Sequence, residues 1–189
     1  MAATIGWDRE RVQQIRLAAP MHDIGKIAIP DAILSKPGKL TPLEYATMQT
    51  HAEIGAALLA GSQSPVLRMA HEIALGHHER WDGTGYPAGL SGSEIPESAR
   101  IVAIVDVFDA LSHDRVYRPA LAQDEVLQVL LAGQGKHFDP RLLDAFLSVY
   151  PQMLSIADSL TDADDRCSRG AAAEHLNHVA AVETAAAAC

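Results

Sequence analysis

The chain is poor in cysteine, in aromatic residues and in positive charge, and no apolar run reaches the ~18 residues that a membrane-spanning helix needs. Its two cysteines, Cys167 and Cys189, both lie near the C-terminus, so neither a disulfide framework nor a thiolate zinc site is expected. Aromatic residues make up 5%, which disfavours a β-rich core and a stacking platform for single-stranded nucleic acid. Lys and Arg number 15 against 24 Asp and Glu, a formal net charge of -9. Such a chain has no general attraction for DNA, RNA or an anionic membrane face, although a few local cations can still hold one small anion. No signal-peptide pattern opens the sequence, and a cytoplasmic protein is expected.

What is present is a chain of 189 residues, 48% of them hydrophobic, enough for one sizeable core. Helical periodicity dominates. Val12, Ile15, Ala19 and His22 form a stripe within a helix expected over 8–24. Thr41, Pro42 and Glu44 have the spacing of a capping box with proline at the first helical position, which starts a helix running to about Ala60. Ser64-Pro65 starts another in the same way, to about His78. Between Glu79 and Glu97 six glycines and prolines predict a long loop, a feature that is usually functional inside a compact domain. Helices are expected over 97–112, 123–131 and 140–154, and no convincing strand appears, so the fold reads as an all-α bundle. The domain is expected to span 1–156, followed by an acidic, Ala-rich flexible tail over 157–189.

Nine histidines are many for this length, and their positions are informative. His22-Asp23 closes the first helix, where two metal-capable side chains can turn towards one site; a pair of solvated surface groups is the plainer reading. His51 shares a stripe with Met48, Ile54 and Leu58, as a hydrogen-bonded core histidine or as a ligand, and Gly55 one turn on leaves room beside it. His77-His78 ends the next helix beside the glycine-rich loop. Asp106 and Asp109 sit in the most apolar helix, where a carboxylate needs a hydrogen bond, a proton or a cation. Metal binding is the favoured reading for Asp106, and a structural or supporting role for Asp109. Arg115 and Arg118 either clamp phosphate or pair with a helix C-terminus. Mixed nitrogen and oxygen ligands without thiolate suit Fe, Mn, Zn or Ni, and two metals sharing a carboxylate suit phosphoester hydrolysis.

The pattern resembles a known family. His22-Asp23-Ile24-Gly25-Lys26 with Ile29-Pro30-Asp31 is similar to the HD phosphohydrolase signature. The run from His77 to Pro87, with Gly85-Tyr86-Pro87 at its end, is similar to the hallmark of the HD-GYP subgroup, bacterial cyclic di-GMP phosphodiesterases. Asp106 to Leu111 and Phe138-Asp139-Pro140 also fit, and the likeness covers about residues 11 to 150. It implies an HD-type helical bundle that hydrolyses cyclic di-GMP to pGpG or GMP with two divalent metal ions, usually iron or manganese. It implies metal ligands His22, Asp23, His51, His77, His78 and Asp106, with Asp23 bridging and also catalytic. Lys26 is implied at the scissile phosphate, Gly85 and Tyr86 at the nucleotide, and Arg115 and Arg118 at phosphate.

Family members also carry a histidine ligand upstream of the HD pair, whereas no histidine occurs among the 21 residues before His22. The first metal would then keep only His22, Asp23 and Asp106, which leaves a piece of a longer protein, a weakly loaded enzyme or an impaired domain that binds nucleotide or protein. A sensor or receiver region upstream, GGDEF-type signalling proteins as partners, and a homodimer through apolar surface left bare are the further expectations.

Overall fold

The computed structural model describes residues 1–113 and 120–160, with no side chains described beyond 156. Eight α-helices and no strand occur among the described residues, as the periodicity predicts. Arg115 and Arg118, and the tail from residue 161, lie outside them.

The first helix, α1 (Arg9–Ala18), starts on Asp8, whose carboxylate accepts the Arg11 N–H at 2.8 Å. It stops well short of the expected Ile24. Pro20 has no N–H to give to the carbonyl four residues back, and the chain tightens into 3₁₀ turns over Ala19–Met21 and Ile24–Ala28. His22 and Asp23 fall between these two turns. A short α2 (Asp31–Leu34), absent from the sequence reading, follows Pro30.

The next helix, α3 (Pro42–Leu59), opens on the expected capping box. Thr41 Oγ1 accepts the Glu44 N–H at 3.3 Å, and the Glu44 carboxylate accepts the Thr41 N–H at 2.7 Å. Its buried face is Met48, His51, Ala52, Gly55, Ala56 and Leu59, and Leu58 is exposed. That face is rotated from the Ile54–Leu58 stripe read in the sequence because the small residues Ala52, Gly55 and Ala56 let neighbouring backbone come close. The space beside Gly55 holds the backbone of Gly25: a Cβ on Gly25 would stand 2.0 Å from the His51 carbonyl oxygen and 2.5 Å from the Gly55 nitrogen. The Ile24–Ala28 turn is thereby pressed onto α3 between His51 and Gly55.

Helix α4 (Pro65–Gly76) has proline at its first turn, but the Ser64 side chain makes no capping hydrogen bond. It packs between α1, α3 and α5 (Glu97–Ser112), whose apolar run supplies Ile101, Val102, Ile104, Val107, Phe108 and Leu111 to the main core. Helix α6 (Gln123–Ala132) and α7 (Pro140–Ser148) close the far side with Val126, Leu130, Leu142, Leu143 and Phe146. The single helix expected over 140–154 is broken at Val149, and α8 (Tyr150–Leu160) restarts there, since Pro151 cannot bond to the Leu147 carbonyl and its ring would collide with it. A second, small core of Ile29, Leu40 and Met48, joined by Ile33, Leu34 and Tyr45, lies under the segment after the HD pair.

Candidate metal centre and the loop beside it

Four of the predicted residues, Asp23, His51, His77 and His78, bring one ligand atom each to within 4.8 Å of one another. They come from three elements: the link before the Ile24–Ala28 turn, the middle of α3, and the end of α4. His51 and His77 are fully buried. Their Nε2 atoms are 3.5 Å apart, and His78 Nε2 is 3.2 Å from that of His51.

The other ring nitrogens set the tautomers. His51 Nδ1 lies 2.8 Å from the Met48 carbonyl oxygen, and His77 Nδ1 lies 3.0 Å from that of Ile73. A carbonyl can only accept, so each Nδ1 donates and Nε2 is the ring atom left facing inward. The Nε2 atoms of His51, His77 and His78 thus gather within 3.2–3.5 Å of one another along the row, each a potential ligand atom when unprotonated. Asp23 Oδ1, 3.5 Å from His51 Nε2 and 3.7 Å from His77 Nε2, is buried and has no hydrogen-bond partner. An orphaned carboxylate oxygen facing inward imidazole nitrogens is the donor set of a divalent cation, and these residues fit one.

The second oxygen of Asp23 faces elsewhere. Oδ2 is 3.2 Å from His22 Nε2 and accepts a hydrogen bond from Lys26 Nζ at 2.7 Å. His22 Nε2 also lies 3.7 Å from Asp106 Oδ1, while its Nδ1 donates to the Ala19 carbonyl at 2.9 Å. His22 thus stands between Asp23 and Asp106 and links Asp106 to the edge of the four-residue cluster, which itself includes neither His22 nor Asp106. Burial opposes the charge on His22, but Asp23 and Asp106 outweigh it and push its pKa up to about 9. Burial likewise works to raise Asp23, and the imidazoles of His22 and His77 with the Lys26 ammonium hold it well below the usual carboxylate range.

Asp109 does not join this cluster. It is exposed and lies 3.2 Å from His113 Nδ1, one turn on, a pairing at the end of α5 that fits the structural side of what the sequence suggests for it. Two further described histidines lie outside the cluster: His71 donates to the Ala56 carbonyl, and His137 stacks on Phe138.

The glycine-rich loop folds back on the two histidines that precede it. Tyr86 N–H donates to the His78 carbonyl, and the Tyr86 ring stacks on His78 with centroids 4.7 Å apart and planes 22° apart. A Cβ on Gly85 would lie 2.4–2.6 Å from Arg80 N, Glu79 Cα and His78 O, all backbone, so only glycine lets the loop lie this close. The Trp81 and Asp82 N–H groups donate to the carbonyls of His137 and Lys136, which ties the loop to the turn before α7. That turn is held by Asp139, which caps α7 and accepts from Arg100 of α5. Two residues that sequence reasoning passed over belong here. Glu79 is buried and accepts backbone N–H groups of the loop. Tyr45 meets Tyr86 edge-on at 6.5 Å. The available signal for Glu79 was a carboxylate directly before a loop rich in N–H groups that need acceptors.

Residues 1–142 match the family model described as HD domain. A cyclic di-GMP phosphodiesterase of Vibrio cholerae is 47% identical over 157 residues, 80% of this chain and 32% of that protein. The cyclic di-GMP phosphodiesterase response regulator RpfG of Xanthomonas campestris is 49% identical over 166 residues, 88% of this chain and 44% of its own length. A 3'3'-cGAMP-specific phosphodiesterase 2 of Vibrio cholerae is 44% identical over 162 residues, 86% of this chain and 31% of that protein. The chain therefore spans less than half the length of these relatives. No described helix is long and apolar enough to cross a membrane.

Proposed function

Because the chain belongs to the HD domain family, in its HD-GYP branch, we propose that it is a metal-dependent phosphodiesterase that hydrolyses cyclic di-GMP. The observation that carries the reading is the Asp23 carboxylate, with one oxygen towards His51 and His77 and the other towards His22 and Lys26. His51, His77, His78 and Asp23 would hold one divalent cation, and His22, Asp106 and the same Asp23 a second. An all nitrogen and oxygen set without thiolate is consistent with iron or manganese. Bound there, the two ions supply Lewis acidity and lower the cost of forming hydroxide from water at neutral pH.

The remaining work falls to the chain itself. Lys26, its ammonium largely enclosed and anchored on Asp23, offers a positive charge to a phosphate oxygen in an otherwise acidic protein. Tyr86 offers an aromatic face to a nucleobase at the edge of the cluster, with Gly85 letting the loop lie against it. Arg115 and Arg118 are proposed as further phosphate contacts. A receiver-type input region outside the matched stretch and a cytoplasmic location belong to the same proposal; the first rests on the response-regulator name of the Xanthomonas relative.

The test is to incubate the chain, purified without oxygen and supplied with Fe(II) or Mn(II), separately with cyclic di-GMP and 3'3'-cGAMP, and to separate the products. Release of pGpG or GMP from cyclic di-GMP is expected. Cleavage of 3'3'-cGAMP alone, or of neither, would overturn the assignment.

A further inference from the structure

Glu79 follows two candidate metal ligands, yet it points away from them into the loop. It is 2% exposed. Its Oε1 accepts the Ala88 N–H at 2.7 Å and its Oε2 accepts the Leu90 N–H at 3.0 Å. Both donors lie just past Tyr86-Pro87, so one carboxylate grips the returning limb of the loop at two points. On the outgoing limb the Tyr86 N–H is held by the His78 carbonyl at 3.2 Å, with Gly85 pressed against the backbone of residues 78–80. Tyr86 therefore sits between two anchors, half-buried, with its ring stacked on His78 and met edge-on by Tyr45.

The geometry points to Glu79 as a positioning residue that holds Tyr86 over the cluster and so sets affinity for the cyclic dinucleotide, while leaving the cation sites intact. The inference rests on the proposed phosphodiesterase reading, in which Tyr86 meets a nucleobase. The physical basis is that a buried carboxylate accepting two N–H groups has no equivalent. Glutamine can accept one of them, but its amide would turn a donor towards the other. Alanine leaves two N–H groups without their acceptor. Neither change touches an atom that faces His51, His77 or Asp23, so metal and nucleotide affinities come apart.

Glu79→Gln and Glu79→Ala are compared with the parent by three readouts: amide exchange of the 83–92 segment, Mn(II) affinity by calorimetry, and KM against kcat for cyclic di-GMP. Exchange in the segment is expected to rise roughly tenfold or more in both variants, with the segments of α3, α4 and α5 unchanged. Mn(II) affinity is expected to stay within about twofold, and KM to rise roughly tenfold with a smaller fall in kcat. Glutamine, keeping one bond, should lie between parent and alanine. Unchanged exchange in 83–92 would overturn the inference, as would a loss of Mn(II) affinity that tracks the rise in KM. Normal KM in both variants of an active parent would also overturn it, and would leave the phosphodiesterase reading standing. An inactive parent would instead defeat that reading.

Discussion

Gly25→Ala tests the link between backbone packing and the cluster, because the position carries no ligand and no charge. A Cβ there would meet the His51 carbonyl oxygen at 2.0 Å and the Gly55 nitrogen at 2.5 Å. Ordinary contact begins near 3.4 Å, so the Ile24–Ala28 turn and α3 must separate by about 1.4 Å. Both neighbours are backbone, and no side chain can swing aside to absorb the change. The turn carries Lys26 and follows directly on Asp23, while α3 carries His51, so the separation pulls Asp23 away from His51 across a gap that is 3.5 Å wide in the parent. Overpacking of this kind destabilises by about 1–3 kcal/mol, which lowers Tm by a few degrees in a chain of this size. A misplacement of about 1 Å at a reacting centre costs on the order of 100-fold in rate. Turnover of cyclic di-GMP should therefore fall about 100-fold in a folded protein, with Mn(II) affinity reduced alongside. Gly55→Ala is the graded control, since its nearest contact would be 3.1 Å, and it should lose far less. Parent-like turnover and Tm in Gly25→Ala would refute the packing argument.

Two further changes address how the loop and the helix ends are braced. Arg100 and Asp139 form an enclosed ion pair, with side chains 12% and 4% exposed, and Asp139 also caps α7. Arg100→Leu strands that carboxylate and should destabilise the fold by about 3–5 kcal/mol in a urea titration; a loss under about 1 kcal/mol would contradict the burial argument. Glu97 joins Trp7 and Arg11 near the N-terminus to Arg141 of α7. Burial works to raise its pKa, but the Trp7 indole N–H and the two arginines hold it below the ordinary 4.5. A carboxyl depressed on folding stabilises the protein above its unfolded pKa and loses that contribution as pH falls through the folded value. The Tm of the parent should thus drop more steeply below pH 4.5 than that of Glu97→Gln, and parallel curves would show that the depression is absent.

Much of the fold was legible because its boundaries are written in local chemistry. The Thr41 and Glu44 pair starts α3 where the spacing says it should, and Glu97 and Ser112 bound α5 as expected. The failures are of two kinds. At Pro20 and Pro151 an apolar stripe continues through a proline, and periodicity followed the stripe while the missing N–H broke the helix. On α3 the buried face could not be placed from hydrophobicity, since Gly55 is buried for what it lacks. The cluster of Asp23, His51, His77 and His78 was nameable in advance through the resemblance of the His22–Lys26 and His77–Pro87 runs to a known family, since each residue alone reads equally as a core or surface group. The grip of Glu79 on Ala88 and Leu90 depends on how the loop returns in space, which no spacing encodes.

The central claim is that Asp23 is shared by two cations in a phosphodiesterase site. Its most direct test is bound-metal stoichiometry and cyclic di-GMP turnover measured on the same samples of parent and Asp23→Ala, prepared without oxygen with Mn(II) or Fe(II). The account predicts up to two ions and turnover in the parent, and loss of turnover with depleted metal at both positions in a variant that keeps its helical circular dichroism. Undiminished metal content and turnover in Asp23→Ala would contradict it.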